Sequence, residues 1–139
     1  MGIARRITSG AALLVASAAV LPAEAAPADL SRYQGAWLEQ GSSCEEIFSR
    51  TGRGVSFRSP VSPFSPAFIV TGTRLRTPSA TCRIKGIKQA GDRETLLLTC
   101  STAVAVSDAA VLMSPAGDLL KRYTGSADPV GMAYRRCKL

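Results

Sequence analysis

Histidine and asparagine are absent from this 139-residue chain. Histidine is the most frequent general base and the commonest transition-metal ligand in proteins, and it completes the serine and cysteine triads. Its absence excludes those sites, and the lack of asparagine excludes the Cys-His-Asn arrangement as well. Motifs for a nucleophile elbow, a Ser-x-x-Lys pair or a phosphate-binding loop are also missing. We predict a protein that is not an enzyme and that uses no cofactor and no metal.

Carboxylates are the remaining candidates for acid–base chemistry. The only adjacent pair is Glu45 and Glu46, and both fall in the first turn of a predicted helix, where the helix dipole favours acidic side chains. A glycosidase pair would have to be assembled from residues distant in sequence, and the sequence does not indicate one.

Long apolar runs are scarce, and none reaches the about 18 residues that a membrane-spanning helix needs. One run, residues 11–21, follows Arg5 and Arg6 and precedes Ala23 and Ala25, which is the pattern of a secretory signal peptide. We predict removal of residues 1–25 and a single domain over residues 26–139, periplasmic or secreted. Without Arg5, Arg6 and Glu24, the 17 basic and 10 acidic residues become 15 and 9, a net charge of +6.

Four cysteines lie beyond this segment: Cys44, Cys82, Cys100 and Cys137. An even number behind a signal peptide predicts two disulfides. The spacing opposes a zinc site, because no CxxC pair is present. Three pairings are formally open.

Hairpin geometry favours one pairing. If a three-residue turn centred on Gly91 reverses the chain, Cys82 faces Cys100 and Ile84 faces Leu98 on the same side of the sheet. We therefore expect a Cys82–Cys100 disulfide and, by elimination, a second one between the remaining two cysteines.

Short β segments bounded by turn residues dominate the rest of the sequence. One helix is predicted at residues 44–50, where Ser43 and Glu46 form a capping-box pattern. Residues 108–112 lie within a predicted strand, residues 103–113, but could form a helical turn instead of that part of the strand. The fold class is all-β, a small antiparallel barrel or compact sandwich of seven or eight strands with one short helix after the first strand. The predicted strands are residues 35–39, 55–58, 68–71, 81–89, 93–102, 103–113, 119–124 and 130–137.

Residues 58–66 contain three prolines at a period of three, each preceded by serine. Proline lacks an amide donor and favours polyproline II, so the segment is predicted to be an exposed, stiff loop or edge. One interpretation is a recognition loop that presents Val61, Pro63 and Phe64. The other, which we favour, is a connection that protects a sheet edge.

Basic residues are dispersed along the chain. They fit binding of an anionic surface, or they simply keep a small protein soluble, which is the interpretation we favour. Nucleic acid is not expected as a partner, because dense basic runs interleaved with aromatics are missing. The candidate anion-binding residues are Arg74, Arg76, Arg83, Lys85 and Lys88, together with Arg135, Arg136 and Lys138.

The only tryptophan, Trp37, follows Gly35 in a G-x-W pattern and is predicted to anchor the core. Together with the four cysteines and the final Tyr134-Arg-Arg-Cys137, this series resembles small exported bacterial proteins that carry no assigned activity. That resemblance implies two disulfides and a β architecture.

More remotely, the G-x-W strand resembles the calycins, including the periplasmic metalloprotease inhibitors of bacteria. This resemblance implies a small barrel whose N-terminal segment blocks a protease. It also implies an anchor of Gly35 and Trp37 with an arginine, Arg135 or Arg136, over the indole. Two disulfides, a helix after the first strand and the proline loop depart from the inhibitor pattern.

We therefore predict a non-enzymatic binding protein of the bacterial envelope or its surroundings, acting on an unknown envelope protein or small ligand through loops on a rigid β scaffold. The alternative is a protease or lysozyme inhibitor that inserts residues 26–34 or the loop at 59–66.

Overall fold

The computed structural model describes residues 28–139, so the predicted signal peptide lies outside the described residues. No helix in residues 28–139 is long and apolar enough to cross a membrane. Strands account for most of the described chain. The elements are a 3-10 helix, Ser31–Tyr33, one α-helix, α1 Cys44–Ile47, and the strands β1 Gly35–Glu39, β2 Phe48–Thr51, β3 Gly54–Phe57, β4 Ala67–Thr71, β5 Arg74–Arg76, β6 Thr81–Ala90, β7 Arg93–Ser101, β8 Val106–Ala116, β9 Leu119–Tyr123 and β10 Met132–Cys137.

Eight strands form a closed antiparallel barrel in the order β1-β10-β9-β8-β7-β6-β5-β4. Strands β4 to β10 therefore follow one another around the wall as a meander, and β1 closes the barrel between β10 and β4. Strands β2 and β3 form a separate hairpin. The predicted all-β class and the barrel are confirmed.

The predicted helix at residues 44–50 is only partly correct. It ends at Ile47, and β2 begins at Phe48 because the buried Phe48 ring packs beside Phe57 of β3, 5.5 Å away. The expected capping box does not form. The Ser43 hydroxyl donates to the Glu45 carboxylate at 2.8 Å and makes no cap hydrogen bond.

Strand boundaries also differ from prediction in the second half of the chain. The strand expected at residues 103–113 is β8, Val106–Ala116, because residues 102–105 form a turn closed by the Thr102 amide and the Ala105 carbonyl, 2.9 Å apart. Strands β2 and β5 were not predicted.

The hairpin between β6 and β7 pairs Cys82 with Cys100 and Ile84 with Leu98, as expected. The expected three-residue turn is wrong, however. Ala90 pairs with Arg93 around a two-residue turn in which Gly91 has a φ of +69°, and the register shifts by one residue between Ile84 and Gly86. This β-bulge compensates for the shorter turn and restores the predicted register at the cysteines.

The barrel encloses the main core. Alternation along β7 directs Leu96 and Leu98 inward, where they meet Trp37, Phe68 and Tyr134. The Cys82–Cys100 disulfide joins the neighbouring strands β6 and β7 and packs against this core.

A second core lies outside the barrel, beneath the β2–β3 hairpin. Strand β1 is buried on both faces, since Trp37 points inward while Ala36 and Leu38 pack under Phe48. The Cys44–Cys137 disulfide fastens α1 to the end of β10 within this outer core. Both expected disulfides are confirmed.

Candidate functional site at the open end of the barrel

One end of the barrel is sealed by the 3-10 helix, and we call it the closed end. Tyr33 and Trp37 are fully buried there, and the Trp37 indole nitrogen donates to the Tyr33 carbonyl at 2.8 Å. Of the two arginines considered for the indole, Arg136 is the one that lies over it, 4.4 Å from the ring centre. Arg135 instead donates to the Ser42 carbonyl at 2.7 Å beside the outer core.

A buried carboxylate completes the closed end. Glu94 is 5 % exposed and accepts hydrogen bonds from the Tyr33 hydroxyl at 2.5 Å, from Gln89 at 3.0 Å and from the Arg32 guanidinium. Burial by itself would raise the pKa of Glu94, but these donors outweigh it and hold the pKa below its ordinary value. Burial and the neighbouring Glu94 together raise the pKa of Tyr33. Both carboxylate oxygens of Glu94 accept hydrogen bonds, so this network fixes the 3-10 helix against the end of the barrel.

The opposite end, which we call the open end, contains a cavity of about 300 Å³. It is flanked by the loops before β4, before β6, before β8 and after β9. Its wall is mainly apolar and includes both cysteines of the inner disulfide. The apolar lining residues are Pro66, Ala67, Phe68, Leu75, Ala80, Cys82, Leu98, Cys100, Val111, Met113 and Tyr134.

Arg122 brings a positive charge to this cavity. It lies on β9, two residues after the inward-facing Leu120 and directly opposite the inward-facing Met113. Alternation therefore places the guanidinium at the inner face of the wall. Arg122 makes no side-chain hydrogen bond or ion pair within residues 28–139. The cavity thus combines an apolar body with one unpaired cation at its exposed rim.

Two neighbouring strands at the open end differ in length. Strand β8 pairs with β7 from Val106 onward, but its pairing with β9 starts only at Leu112. Ser107 and Ala109 lie on the inner face, opposite Cys100 and Leu98, and are nevertheless exposed.

The predicted recognition loop borders the same opening. Phe64 is 91 % exposed, Pro63 is exposed and Val61 is half-buried, while Ser65 and Pro66 line the cavity. Val104, 92 % exposed in the loop before β8, adds a second apolar tip at this end.

The predicted anion-binding residues do not form one patch. Arg74 and Arg83 face each other across β5 and β6, and Lys88 is exposed further along β6. Arg76 donates to the Val55 carbonyl at 3.0 Å, and Lys85 pairs with Asp108 at 3.0 Å.

The C-terminal basic residues are engaged as well. Asp118 binds the Arg136 Nε at 3.2 Å and the Lys138 ammonium at 2.9 Å. Among the predicted anion-binding residues, Arg74 and Arg83 lie directly opposite each other with no ion pair to an acidic residue in the described chain.

Comparison with protein-family models, curated proteins and solved structures finds no significant match. Residues 28–139 hold no group of three or more Cys, Asp or Glu side chains arranged to bind a metal ion.

Arg122 and Glu94 were not predicted as functional or structural site residues from the sequence. A signal for Arg122 exists in the β9 sequence, because Leu120 and Arg122 share one face of the strand. Glu94 has the same signal, since it stands two residues before Leu96 and four before Leu98.

Proposed function

We propose that the protein is a non-enzymatic binding protein, exported from the cell, that holds a small amphiphilic anion in the open end of its barrel. The observation that carries this proposal is the unpaired Arg122 at the mouth of an apolar cavity. An unpaired guanidinium beside apolar walls favours a ligand with a carboxylate, sulfonate or phosphate head and an apolar body.

The volume of the cavity limits the size of the ligand. About 300 Å³ is at the lower limit of small-molecule sites. The ligand is therefore a short chain or a single ring system, with its head near Arg122 and its body against Phe68 and Met113. The two disulfides suit an oxidising location outside the cytoplasm.

Competition binding tests the proposal. Anilinonaphthalene sulfonate, an apolar ring system with one anionic group, serves as the fluorescent probe, and decanoate and decanol compete for it. We expect decanoate to displace the probe and Arg122→Gln to weaken decanoate binding about tenfold, which corresponds to one charge-assisted hydrogen bond. Binding of uncharged decanol should be unchanged.

Lys121→Gln is the matched control, because Lys121 is the neighbouring cation on the outer face of β9. It should leave both affinities unchanged. If Arg122→Gln and Lys121→Gln behaved alike, or if no probe bound at the open end, the proposed function would be rejected.

Inhibition of a protease or lysozyme is the second candidate, and the exposed Phe64 favours it. Leu30 and Tyr33 are buried at the closed end, so the loop at residues 59–66 is the better inserted element. Inhibition of periplasmic metalloproteases or lysozyme that Phe64→Ala abolishes would support this candidate. No inhibition at micromolar concentration would reject it.

A further inference from the structure

The first six residues of β8 form an unpaired sheet edge. Residues 106–111 pair with β7 on one side, whereas β9 pairs only with Leu112 and the residues after it. The Thr102 amide bonds the Ala105 carbonyl across the β7–β8 turn, and antiparallel hydrogen bonding alternates from that pair. The N–H and C=O groups of Val106, Asp108 and Ala110 therefore point away from β7.

These backbone groups are accessible. All three residues are exposed, and none of their amides or carbonyls bonds to a loop or side chain within residues 28–139. Native proteins commonly protect such an edge with lysine, proline or a bulge. Residues 106–111 contain no lysine, proline or bulge, and Asp108 is the single charged residue among them.

The charge on this edge selects against a second copy of the chain. Self-pairing that uses all three residues on both copies places Asp108 directly opposite the same residue of the second copy. Like charges in directly opposed positions destabilise a strand pair. The edge is thus better suited to a different strand.

The Asp108 carboxylate also indicates what that strand carries. Its Oδ1 accepts the Thr99 hydroxyl at 2.7 Å and pairs with the Lys85 ammonium at 3.0 Å, while Oδ2 accepts no hydrogen bond within residues 28–139. A lysine or arginine opposite Asp108 would reach Oδ2 on the outer face. The neighbouring residues of the added strand would face Ser107 and Ala109, on the inner side of the wall.

We propose that residues 106–111 accept an extended segment of a partner protein as an added antiparallel strand, with a basic residue opposite Asp108. The main-chain hydrogen bonds supply affinity, and Asp108 supplies selectivity. Such a strand would lie beside residues 106–111, where β9 does not reach, and would border the open-end cavity.

Fluorescence anisotropy with a designed peptide tests this proposal. The probe is an acetylated, amidated peptide of alternating threonine and valine with one central lysine. We expect saturable binding to the intact protein and its loss when alternate amides on one edge of the peptide are N-methylated. No saturable binding up to about 1 mM, the limit of weak association, would overturn the proposal.

A pair of variants locates the binding edge. Ala110→Pro removes one edge amide that β7 does not use, and should weaken peptide binding about tenfold, whereas Ala110→Val keeps the amide and should leave binding unchanged. Equal binding by the two variants would contradict the proposal. If Ala110→Pro fails to fold, the N-methylated peptide still tests strand addition, and Asp108→Asn still tests its location.

Two further measurements test the chemistry of the partner. Asp108→Asn should weaken binding of the lysine peptide several-fold and leave binding of a peptide with central glutamine unchanged. Equal losses of affinity for the two peptides would show that Asp108 does not select a basic residue. Light scattering should show a monomer. A dimer that Ala110→Pro dissociates would identify a second copy as the occupant and overturn the proposal.

Discussion

The two ends of the barrel differ in the burial and hydrogen bonding of their side chains, although the same strands form both ends. At the closed end, Tyr33, Trp37 and Glu94 are buried and hydrogen-bonded to one another or to nearby groups. At the open end, Arg122 has no partner within the described chain, and Phe64 and Val104 project into solvent. The buried hydrogen-bond network therefore lies at one end, and the unpaired Arg122 and the exposed apolar side chains lie at the other. Such a division is typical of proteins that bind through loops on a rigid scaffold.

Truncation of the indole should produce the largest difference between the two ends. Trp37→Ala removes a fully buried side chain under Arg136, and we expect a loss of about 3–5 kcal/mol in the free energy of unfolding. Phe64→Ala at the open end should change it by less than about 0.5 kcal/mol. Urea unfolding measures both. Comparable losses would show that the open-end loop contributes to the fold.

The inner disulfide provides the next test, because Cys82 and Cys100 line the open cavity. Replacing both by alanine removes a disulfide between residues 18 apart in sequence. The free energy of unfolding should fall by about 3 kcal/mol, because the unfolded chain gains the entropy of an open loop. Hydrogen exchange should accelerate in β6 and β7 near the cysteines before it does so around Trp37. Equal acceleration at both ends would mean that the barrel opens as one unit.

The closed end should also be sensitive to acid. Because hydrogen bonds depress the pKa of Glu94 in the folded state, its contribution to stability is complete above the unfolded pKa of about 4.5. That contribution is lost as the pH falls through the lower folded value. Glu94→Gln should cost about 1–3 kcal/mol near neutral pH by weakening the hydrogen bonds from Arg32 and Tyr33.

The pH dependence separates this role from simple packing. Stability of Glu94→Gln should decline less steeply with acid than that of the unaltered protein, in unfolding curves measured from pH 6 to about pH 3. Parallel curves would show that other carboxylates dominate the acid response. Glu39→Gln, at a half-buried site on β1, is the matched control.

Much of the barrel could be predicted from local patterns. The alternation around Cys82 and Cys100 predicted both the hairpin and the inner disulfide, because a buried face fixes the strand register. The end of the helix at Ile47 could not be predicted, since Phe48 enters a strand only by packing against Phe57 and the outer face of β1. Short β5 gave no signal, because it holds one apolar residue, Leu75, between two arginines.

The candidate site was harder to predict than the fold. Pro63 and Phe64 were singled out by their own loop chemistry, and the structure places that loop at the opening. Arg122 had a local signal, but its importance depends on where β9 ends relative to β8. That difference in strand length arises from the pairing of distant segments, which no local pattern in the sequence reports.

The smallest expected effect concerns the β6–β7 hairpin, where the β-bulge beside Gly86 offsets the short turn at Gly91. Gly91 and Gly86 both have open space where a Cβ would stand, but only Gly91 has a positive φ, +69°. Gly91→Ala should therefore cost about 1–2 kcal/mol through backbone strain. Gly86→Ala, beside the bulge, should be neutral or stabilise by about 0.5 kcal/mol, because alanine restricts the unfolded chain. Thermal unfolding of the two variants measures the difference, and equal losses would show that the bulge itself requires glycine.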